Sequence, residues 1–177
     1  PFDTVIFNAG VMFPTRRTAN EKDLPWMEET LKTNVVGHFI MARHLLEKQA
    51  QPIRFVCLSS VTANWAYGRM RWKTTPGGCR DFFDRTKYFT DGWVSYSDSK
   101  LAVIVMAQWL NDARDNVSAV AVHPGVARTN MIESIPQNQR DRLSYFTRRQ
   151  TFDGVDVCAN NVMDAIGRQE DFSHSWI

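Results

Sequence analysis

Residues 94–104 are Val94-Ser-Tyr-Ser-Asp-Ser-Lys-Leu-Ala-Val-Ile104, a stretch that sets Tyr96 and Lys100 four residues apart at the start of an apolar, helix-compatible run. On a helix this spacing puts both side chains on one face, one turn apart. A phenol keeps its proton at neutral pH, with a pKa of about 10. A nearby ammonium favours the phenolate and brings the pKa closer to what a general acid or base needs. Because such pairs also arise by chance on surface helices, the meaning of this one depends on the rest of the chain.

Apolar strands are predicted on both sides of this helix. Ile53-Arg-Phe-Val-Cys-Leu58 precedes it, Val117-Ser-Ala-Val-Ala-Val122 follows it, and a third continuous apolar run, Thr4-Val-Ile-Phe7, lies near the start of the chain. A further helix is predicted to open at Asp23 and to run to about Gln49. It connects the strand at 4–7 to the strand at 53–58. Continuous apolar strands are typical of a sheet covered on both faces. The order therefore predicts parallel α/β layers with right-handed crossovers.

Each predicted strand ends in a small, polar turn. These turns are Asn8-Ala9-Gly10, Ser59-Ser60 and His123-Pro124-Gly125. Since the strands are parallel, all three turns are expected at the carboxyl edge of the sheet, where α/β proteins bind ligands. Taken by itself, Asn8-Ala9-Gly10 is more typical of an ordinary strand-ending turn than of a binding site.

Composition excludes several classes of function. The chain has 177 residues, 44% of them hydrophobic and 23% charged, with a net charge of +2, which predicts one globular domain over residues 1–177 and no nucleic-acid partner. The three cysteines are odd in number and lack metal-type spacing, so no metal site is expected and the thiols are interpreted as reduced. No apolar run reaches the about 18 residues needed to span a bilayer. We therefore expect an intracellular protein, cytoplasmic or peripherally membrane-associated.

Two segments are candidates for the walls of a substrate pocket. Residues 61–93 form a long connection rich in aromatic side chains, which either attach the loop to the body or line an apolar pocket beside Tyr96. Residues 130–151 are amphipathic and rich in arginine, a pattern suited to a substrate lid. A helix is predicted from about Phe152 to Ile166, and a last strand is expected to begin at 174–177.

These features together resemble the short-chain dehydrogenase/reductase family. The residues that carry the resemblance are Asn8-Ala9-Gly10, Asn34, Ser60, Tyr96-x-x-x-Lys100 and Pro124-Gly125-Val126-Ala-Arg-Thr129, in that order. Finer details, such as Asn34-Val-Val-Gly-His-Phe39, are similar to the retinol dehydrogenase-like branch. The light-dependent protochlorophyllide reductase branch ranks second. The resemblance covers nearly the whole chain and implies a Rossmann-type, doubly wound parallel sheet.

The chain departs from the family pattern in one respect. The family begins with a Gly-rich turn that holds the cofactor pyrophosphate at a helix N-terminus, and no such turn is present here. The first strand corresponds to the family's fourth, so we expect an N-terminal βαβ part of about 70–100 residues to be absent from this sequence. The sheet flank would then be exposed.

The resemblance implies a role for each site residue. Tyr96 would exchange a proton with the substrate oxygen. Lys100 would lower the Tyr96 pKa and bind the nicotinamide ribose, and Ser60, rather than Ser59, would polarise the carbonyl. Asn34 would kink its helix and hold a water that connects Lys100 to solvent.

The implied cofactor is a nicotinamide dinucleotide, NADP(H) in preference to NAD(H). Asn8, Ala9 and Gly10 would lie along its adenosine side. The nicotinamide end would meet Val126 and Thr129, with Pro124 and Gly125 beside them. Asn34, Tyr96 and Lys100 complete the expected cofactor-binding set.

The predicted activity is hydride transfer between this cofactor and a hydrophobic alcohol or carbonyl compound of retinoid, steroid or lipid type. A homodimer through the helices that carry Asn34 and Tyr96 is implied by the same resemblance. Two alternatives stay open: a catalytically silent homologue or fragment that acts as a binding or regulatory partner, and a protochlorophyllide reductase-like enzyme. A sugar-nucleotide epimerase fits His123-Pro124-Gly125 less well.

Overall fold

The structure is a computed structural model that describes residues 1–15, 27–66, 92–127, 129–133, 135–137 and 153–167. Three strands form its sheet: β1 (Thr4–Phe7), β2 (Ile53–Leu58) and β3 (Val117–Val122). They lie in the order β1-β2-β3, and both pairs are parallel. The predicted bounds of all three strands and the parallel α/β fold class are confirmed.

The helix between β1 and β2 is continuous but irregular. It comprises α1 (Glu29–Leu31), a π-helical segment (Lys32–Val36) and α2 (Gly37–Lys48). The predicted opening at Asp23 is wrong, because Met27 and Glu28 are not helical. The buried carboxylate of Glu28 accepts hydrogen bonds from the Leu31 amide and the Thr30 hydroxyl, each at 2.9 Å, and so caps the helix five residues after the predicted cap at Asp23.

Four further helices complete the described fold. They are α3 (Ala63–Ala66), α4 (Gly92–Ala113), α5 (Asn130–Glu133) and α6 (Val155–Gly167). The helix predicted from about Phe152 to Ile166 corresponds to α6, which begins three residues later and ends one residue later. Most of the insert at 61–93, most of the lid at 130–151 and the expected strand at 174–177 lie outside the described residues.

The sheet separates two apolar layers because successive side chains of a strand point to opposite faces. Phe55 and Cys57 of β2 pack with α2 and α4, through residues such as Ala42 and Leu110. Val56 faces the other side and joins β3 and α6 residues, including Ala165. Burying a side chain of this size stabilises a fold by about 1.5–3 kcal/mol, so β2, covered on both faces, is the centre of the core.

The two edges of the sheet differ in how they are covered. Asn111 of α4 exchanges two hydrogen bonds with the backbone of Ala119, at 2.7 and 2.9 Å, and so satisfies the outer edge of β3. At the other edge, Ile6 is in register with buried Val56 but is 42% exposed, so the described residues leave this face of β1 open.

No described helix is long and apolar enough to cross a membrane.

Candidate functional site

A cavity of about 440 Å³ lies where the three strands end. This volume is within the range of small-molecule sites, about 300–1,000 Å³. The turns after all three strands contribute to its wall, together with α4, the segment around α5, and α6. Of the residues predicted for the site, the wall contains Asn8, Gly10, Ser60, Tyr96, Lys100, Pro124, Gly125, Val126 and Thr129. Ala9 and Asn34 are not part of the wall.

Tyr96 and Ser60 form the polar centre of the cavity. Burial raises the pKa of Tyr96, and its hydrogen bond with the Ser60 hydroxyl opposes that rise. The neighbouring Ser59 is used differently, because its buried hydroxyl donates to the Lys100 carbonyl at 2.8 Å. Both serines line the cavity, but their hydroxyls have different partners: Ser60 bonds Tyr96, and Ser59 bonds the backbone of α4.

Lys100 reaches the same point from the next turn of α4. Its ammonium donates to the Leu58 carbonyl at 2.9 Å, at the end of β2, and lies 5.5 Å from the centre of the Tyr96 ring. Burial lowers the pKa of Lys100 to about 8. Desolvation is thus the largest influence on the pKa of both residues, and the lowering of the Tyr96 pKa by Lys100 stays a prediction.

Asn34 acts behind the cavity. Its fully buried side chain exchanges two hydrogen bonds with the Val11 backbone, at 2.8 and 3.0 Å, and donates to the Ser99 hydroxyl at 3.0 Å. That hydroxyl donates to the Tyr96 carbonyl at 2.7 Å. Asn34 lies in the π-helical segment, an irregularity often found at functional sites. The amide therefore connects the turn after β1 to the turn of α4 that carries Tyr96.

The turn after β1 passes close to these groups. A Cβ atom placed on Gly10 would lie 3.5 Å from both the Asn34 Oδ1 and the Lys100 Nζ. The backbone of this turn therefore runs directly beside the polar centre.

Residues 123–127, here called the β3 loop, form the side of the cavity opposite Gly10. Gly125 has a φ of +111°, a conformation that side chains with a Cβ rarely adopt. The Val126 amide donates to the carboxylate of Asp153 at 3.1 Å. Burial lowers the pKa of His123, and the negative charge of Asp153 opposes this change.

The remaining wall is apolar. Met12, Trp93 and Ile135 form a buried cluster, and Tyr96 and Met131 pack against it. Trp93 belongs to the aromatic insert, and Ile135 to the predicted lid, so both segments contribute an apolar wall beside Tyr96. The aromatic residues of the insert from Tyr67 to Phe89 lie outside the described residues.

Sequence reasoning missed the contribution of α6. Val155, Cys158, Ala159 and Val162 all line the cavity, and Asp153 and Asn161 contact the β3 loop. The Asp153-Gly154 pair before an amphipathic run is a signal for a helix start, but it carries no information about which turn the helix will contact. Among the described residues, no cluster of metal-ligating side chains is present.

No family model matches the chain. Among curated proteins, it is 31% identical over 136 residues to "Retinol dehydrogenase 13" of Homo sapiens, a match that covers 73% of this chain and 36% of that protein. It is 28% identical over 142 residues to "Short-chain dehydrogenase TIC 32 A, chloroplastic" of Brassica napus, which covers 74% of this chain and 41% of that protein. The chain thus spans less than half the length of these relatives.

Solved structures share the fold. The KRED1-Pglu enzyme matches 99% of this chain and 68% of its own, with a TM-score of 0.62 and 17% identity. A gluconate 5-dehydrogenase from Burkholderia cenocepacia in complex with NADP and tartrate matches 92% and 56%, with a TM-score of 0.54 and 18% identity. A short-chain dehydrogenase/reductase from Burkholderia phymatum in complex with NAD matches 99% and 60%, with a TM-score of 0.55 and 18% identity. At these identities the likeness establishes the Rossmann-type fold.

Proposed function

Because the chain belongs to the short-chain dehydrogenase/reductase family, we propose that it is an oxidoreductase that transfers a hydride between a nicotinamide cofactor and an alcohol or carbonyl compound. The observation that carries the proposal is the meeting of Ser60, Tyr96 and Lys100 in one cavity at the carboxyl edge of the sheet. These residues come from two different elements, and a phenol, a hydroxyl and an ammonium are the groups that acid–base chemistry at a carbonyl requires.

The chain's own residues would handle the proton. Tyr96 donates it to the substrate oxygen during reduction and accepts it during oxidation, while the Ser60 hydroxyl donates a hydrogen bond to the same oxygen. The Tyr96 phenol is protonated at neutral pH, because its ordinary pKa of about 10 already lies above neutral and burial raises it further. Asn34 acts through Ser99 to hold the turn of α4 that carries Tyr96.

The residues present fit a nicotinamide ribose. Lys100 supplies an ammonium, Gly10 leaves room for close approach beside it, and Asn8 adds an amide at the cavity wall. Val126 and Thr129 would lie at the nicotinamide end, and Ala9 beside the adenosine side. A bound nicotinamide supplies or accepts the hydride. We favour NADP(H) over NAD(H) on the resemblance to the retinol dehydrogenase-like branch, and solved relatives of this fold hold either one.

The substrate in this proposal is hydrophobic, of retinoid, steroid or lipid type. Its support is the apolar cluster of Met12, Trp93 and Ile135 directly beside Tyr96. Each Å² of apolar substrate surface that such a wall removes from water stabilises the bound complex by about 25 cal/mol. The polar groups would then engage the reacting oxygen alone.

A homodimer is also part of the proposal. On the outer side of α2 and α4, Ile40, Met41, Val105 and Trp109 are between 37% and 61% exposed. Phe39 and Trp109 connect the two helices through rings 5.0 Å apart. An exposed apolar surface of this kind favours association with a second protein surface.

Two measurements test the activity. Fluorescence titration with NADPH and with NADH must show that the chain binds one of them; binding of neither would favour the alternative of a catalytically silent binding partner. In Tyr96→Phe we expect turnover to fall by about 10²–10⁴-fold, the contribution of a positioned general acid, with nucleotide affinity retained. Near-normal turnover in that variant would refute the assignment of Tyr96.

A further inference from the structure

Hydrogen bonds connect the β3 loop to α6 and to the residues just before it. The Asp153 carboxylate accepts the Val126 amide at 3.1 Å, and the Asp153 amide donates to the Val126 carbonyl at 3.0 Å. In the second turn of α6, the Asn161 side chain donates to the Pro124 carbonyl at 2.9 Å. Asp153 is also bridged in parallel to Ala127. The backbone of the loop is thus held on both sides of Gly125.

Gly125 and Asp153 depend on each other sterically. A Cβ atom on Gly125 would lie 2.6 Å from the Asp153 Oδ2 and 3.0 Å from the Cys158 Sγ. Since real Cβ atoms do not approach that closely, the carboxylate occupies the space that a side chain at position 125 would take. The positive φ at position 125 and the nearby Asp153 carboxylate therefore both require a residue without a Cβ atom there.

These two polar residues face the loop rather than the cavity. Pro124, Gly125 and Val126 line the cavity, whereas Asp153 and Asn161 do not. Any effect they have on a bound molecule must therefore pass through the loop. A carboxylate that accepts a backbone amide forms a charge-assisted bond, about twice as strong as a neutral one, so Asp153 is the stronger of the two contacts.

We propose that Asp153 and Asn161 are positioning residues that hold the β3 loop in the shape that receives the nicotinamide end of the cofactor. The inference rests on the proposed function, which assigns that end of the cavity to the loop. Ordering a loop on binding costs free energy. A loop that is already ordered avoids this cost, so the affinity is higher for the part of the ligand that contacts the loop. The adenosine portion would lie on the other side of the cavity, so its binding affinity would not depend on the order of the loop.

The experiment compares whole cofactors with fragments that lack nicotinamide, on the full chain. In Asp153→Ala we expect the Kd for the preferred cofactor to rise about tenfold, the loss of one hydrogen bond to a charged group. The matching fragment, 2′-phospho-ADP-ribose for NADPH or ADP-ribose for NADH, should change less than twofold. Asp153→Asn keeps an acceptor oxygen and should recover most of the affinity. Asn161→Ala should show a smaller change of the same kind, with its exposed neighbour in Asn160→Ala as the control.

A second readout needs no ligand. Hydrogen exchange at the Val126 amide should accelerate in Asp153→Ala and stay near the wild-type rate in Asp156→Ala, a change in the first turn of the same helix. Unchanged exchange in Asp153→Ala, or equal weakening of cofactor and fragment, would overturn the inference. A wild-type chain that binds neither NADPH nor NADH would instead refute the proposed function, and the role of the loop in cofactor binding with it, whatever the exchange rates.

Discussion

The Lys100 ammonium lies 5.5 Å from the centre of the Tyr96 ring while it donates a 2.9 Å hydrogen bond to the Leu58 carbonyl. The strand end thus anchors the lysine beside the tyrosine. Because burial lowers the pKa of Lys100 to about 8, its charge is in equilibrium close to physiological pH.

The two adjacent serines provide a matched pair for the first prediction. In Ser60→Ala we expect turnover to fall by about 10²-fold or more, because the group that hydrogen-bonds Tyr96 is lost. In Ser59→Ala we expect the free energy of unfolding to fall by about 1 kcal/mol, since a buried hydrogen bond to the Lys100 carbonyl is removed. Steady-state kinetics and urea unfolding of both variants measure the contrast. The reverse pattern would mean that the roles of the serines are exchanged.

The second prediction concerns the pH dependence of reduction. Lys100 is charged below its pKa of about 8 and neutral above it. We therefore expect kcat/KM for the reductive direction to decline as pH rises through about 8, as the positive charge beside Tyr96 is lost. Lys100→Arg, whose guanidinium stays charged, should move this decline to higher pH. A wild-type profile that stays flat up to pH 10 would contradict the prediction.

The third prediction concerns acid stability. His38 is 3% exposed and stacks on Phe7 with ring centres 4.8 Å apart. Burial, and then the charge of Lys100, lower its pKa below 6.5 in the folded state, although the Asn34 backbone opposes this. The unfolded chain binds the proton more readily, so stability falls as pH falls below about 6.5. Chemical unfolding from pH 7.5 to 5 should show this loss, and His38→Phe should reduce it. His44→Phe, a change further along α2, serves as the control.

Arg54 provides a prediction about the sheet. This cation on the central strand donates to the Ala165 carbonyl at 2.8 and 3.2 Å and to the Ser118 hydroxyl at 3.3 Å. It thus connects β2 to β3 and to the C-terminal end of α6, where a positive charge is favourable. Arg54→Met should lower the free energy of unfolding by about 2–3 kcal/mol.

Its control is Arg43, which pairs with Glu47 at 3.3 Å on the surface of α2. With side chains 60% and 58% exposed, this pair is worth less than about 1 kcal/mol, so Arg43→Met should be nearly neutral. Equal losses in both variants would mean that the contacts of Arg54 add nothing beyond its charge.

The last prediction tests the homodimer. Trp109→Glu places a charge on the exposed apolar side of α2 and α4 and should shift the chain from dimer to monomer in sedimentation velocity. Gln108→Glu adds the same charge at the neighbouring exposed position and should leave the dimer intact. A wild-type chain that sediments as a monomer at micromolar concentration would refute the proposed interface.

The features of this fold that are predictable from sequence are those whose signals lie close together in the chain. The bounds of β1, β2 and β3 were predictable because continuous apolar runs are what a sheet covered by helices requires. The start of α1 was not, since Asp23 is the better cap by preference, whereas Glu28 is buried where its carboxylate reaches the Leu31 amide. The meeting of Ser60 with Tyr96 followed from topology, because the strand that precedes Ser60 ends, and the crossover helix that carries Tyr96 begins, at the carboxyl edge of the parallel sheet.

The sequence by itself determined the parallel α/β layers and the family, because periodicity and short motifs are local properties of the chain. Tertiary structure alone decided which partner each polar group takes. Asn34, which could have faced solvent, is fully buried against the Val11 backbone, 23 positions away, and Asp153 meets Val126 across 27 positions. It also decided the pKa values, because desolvation depends on what packs around a group and not on its neighbours in sequence.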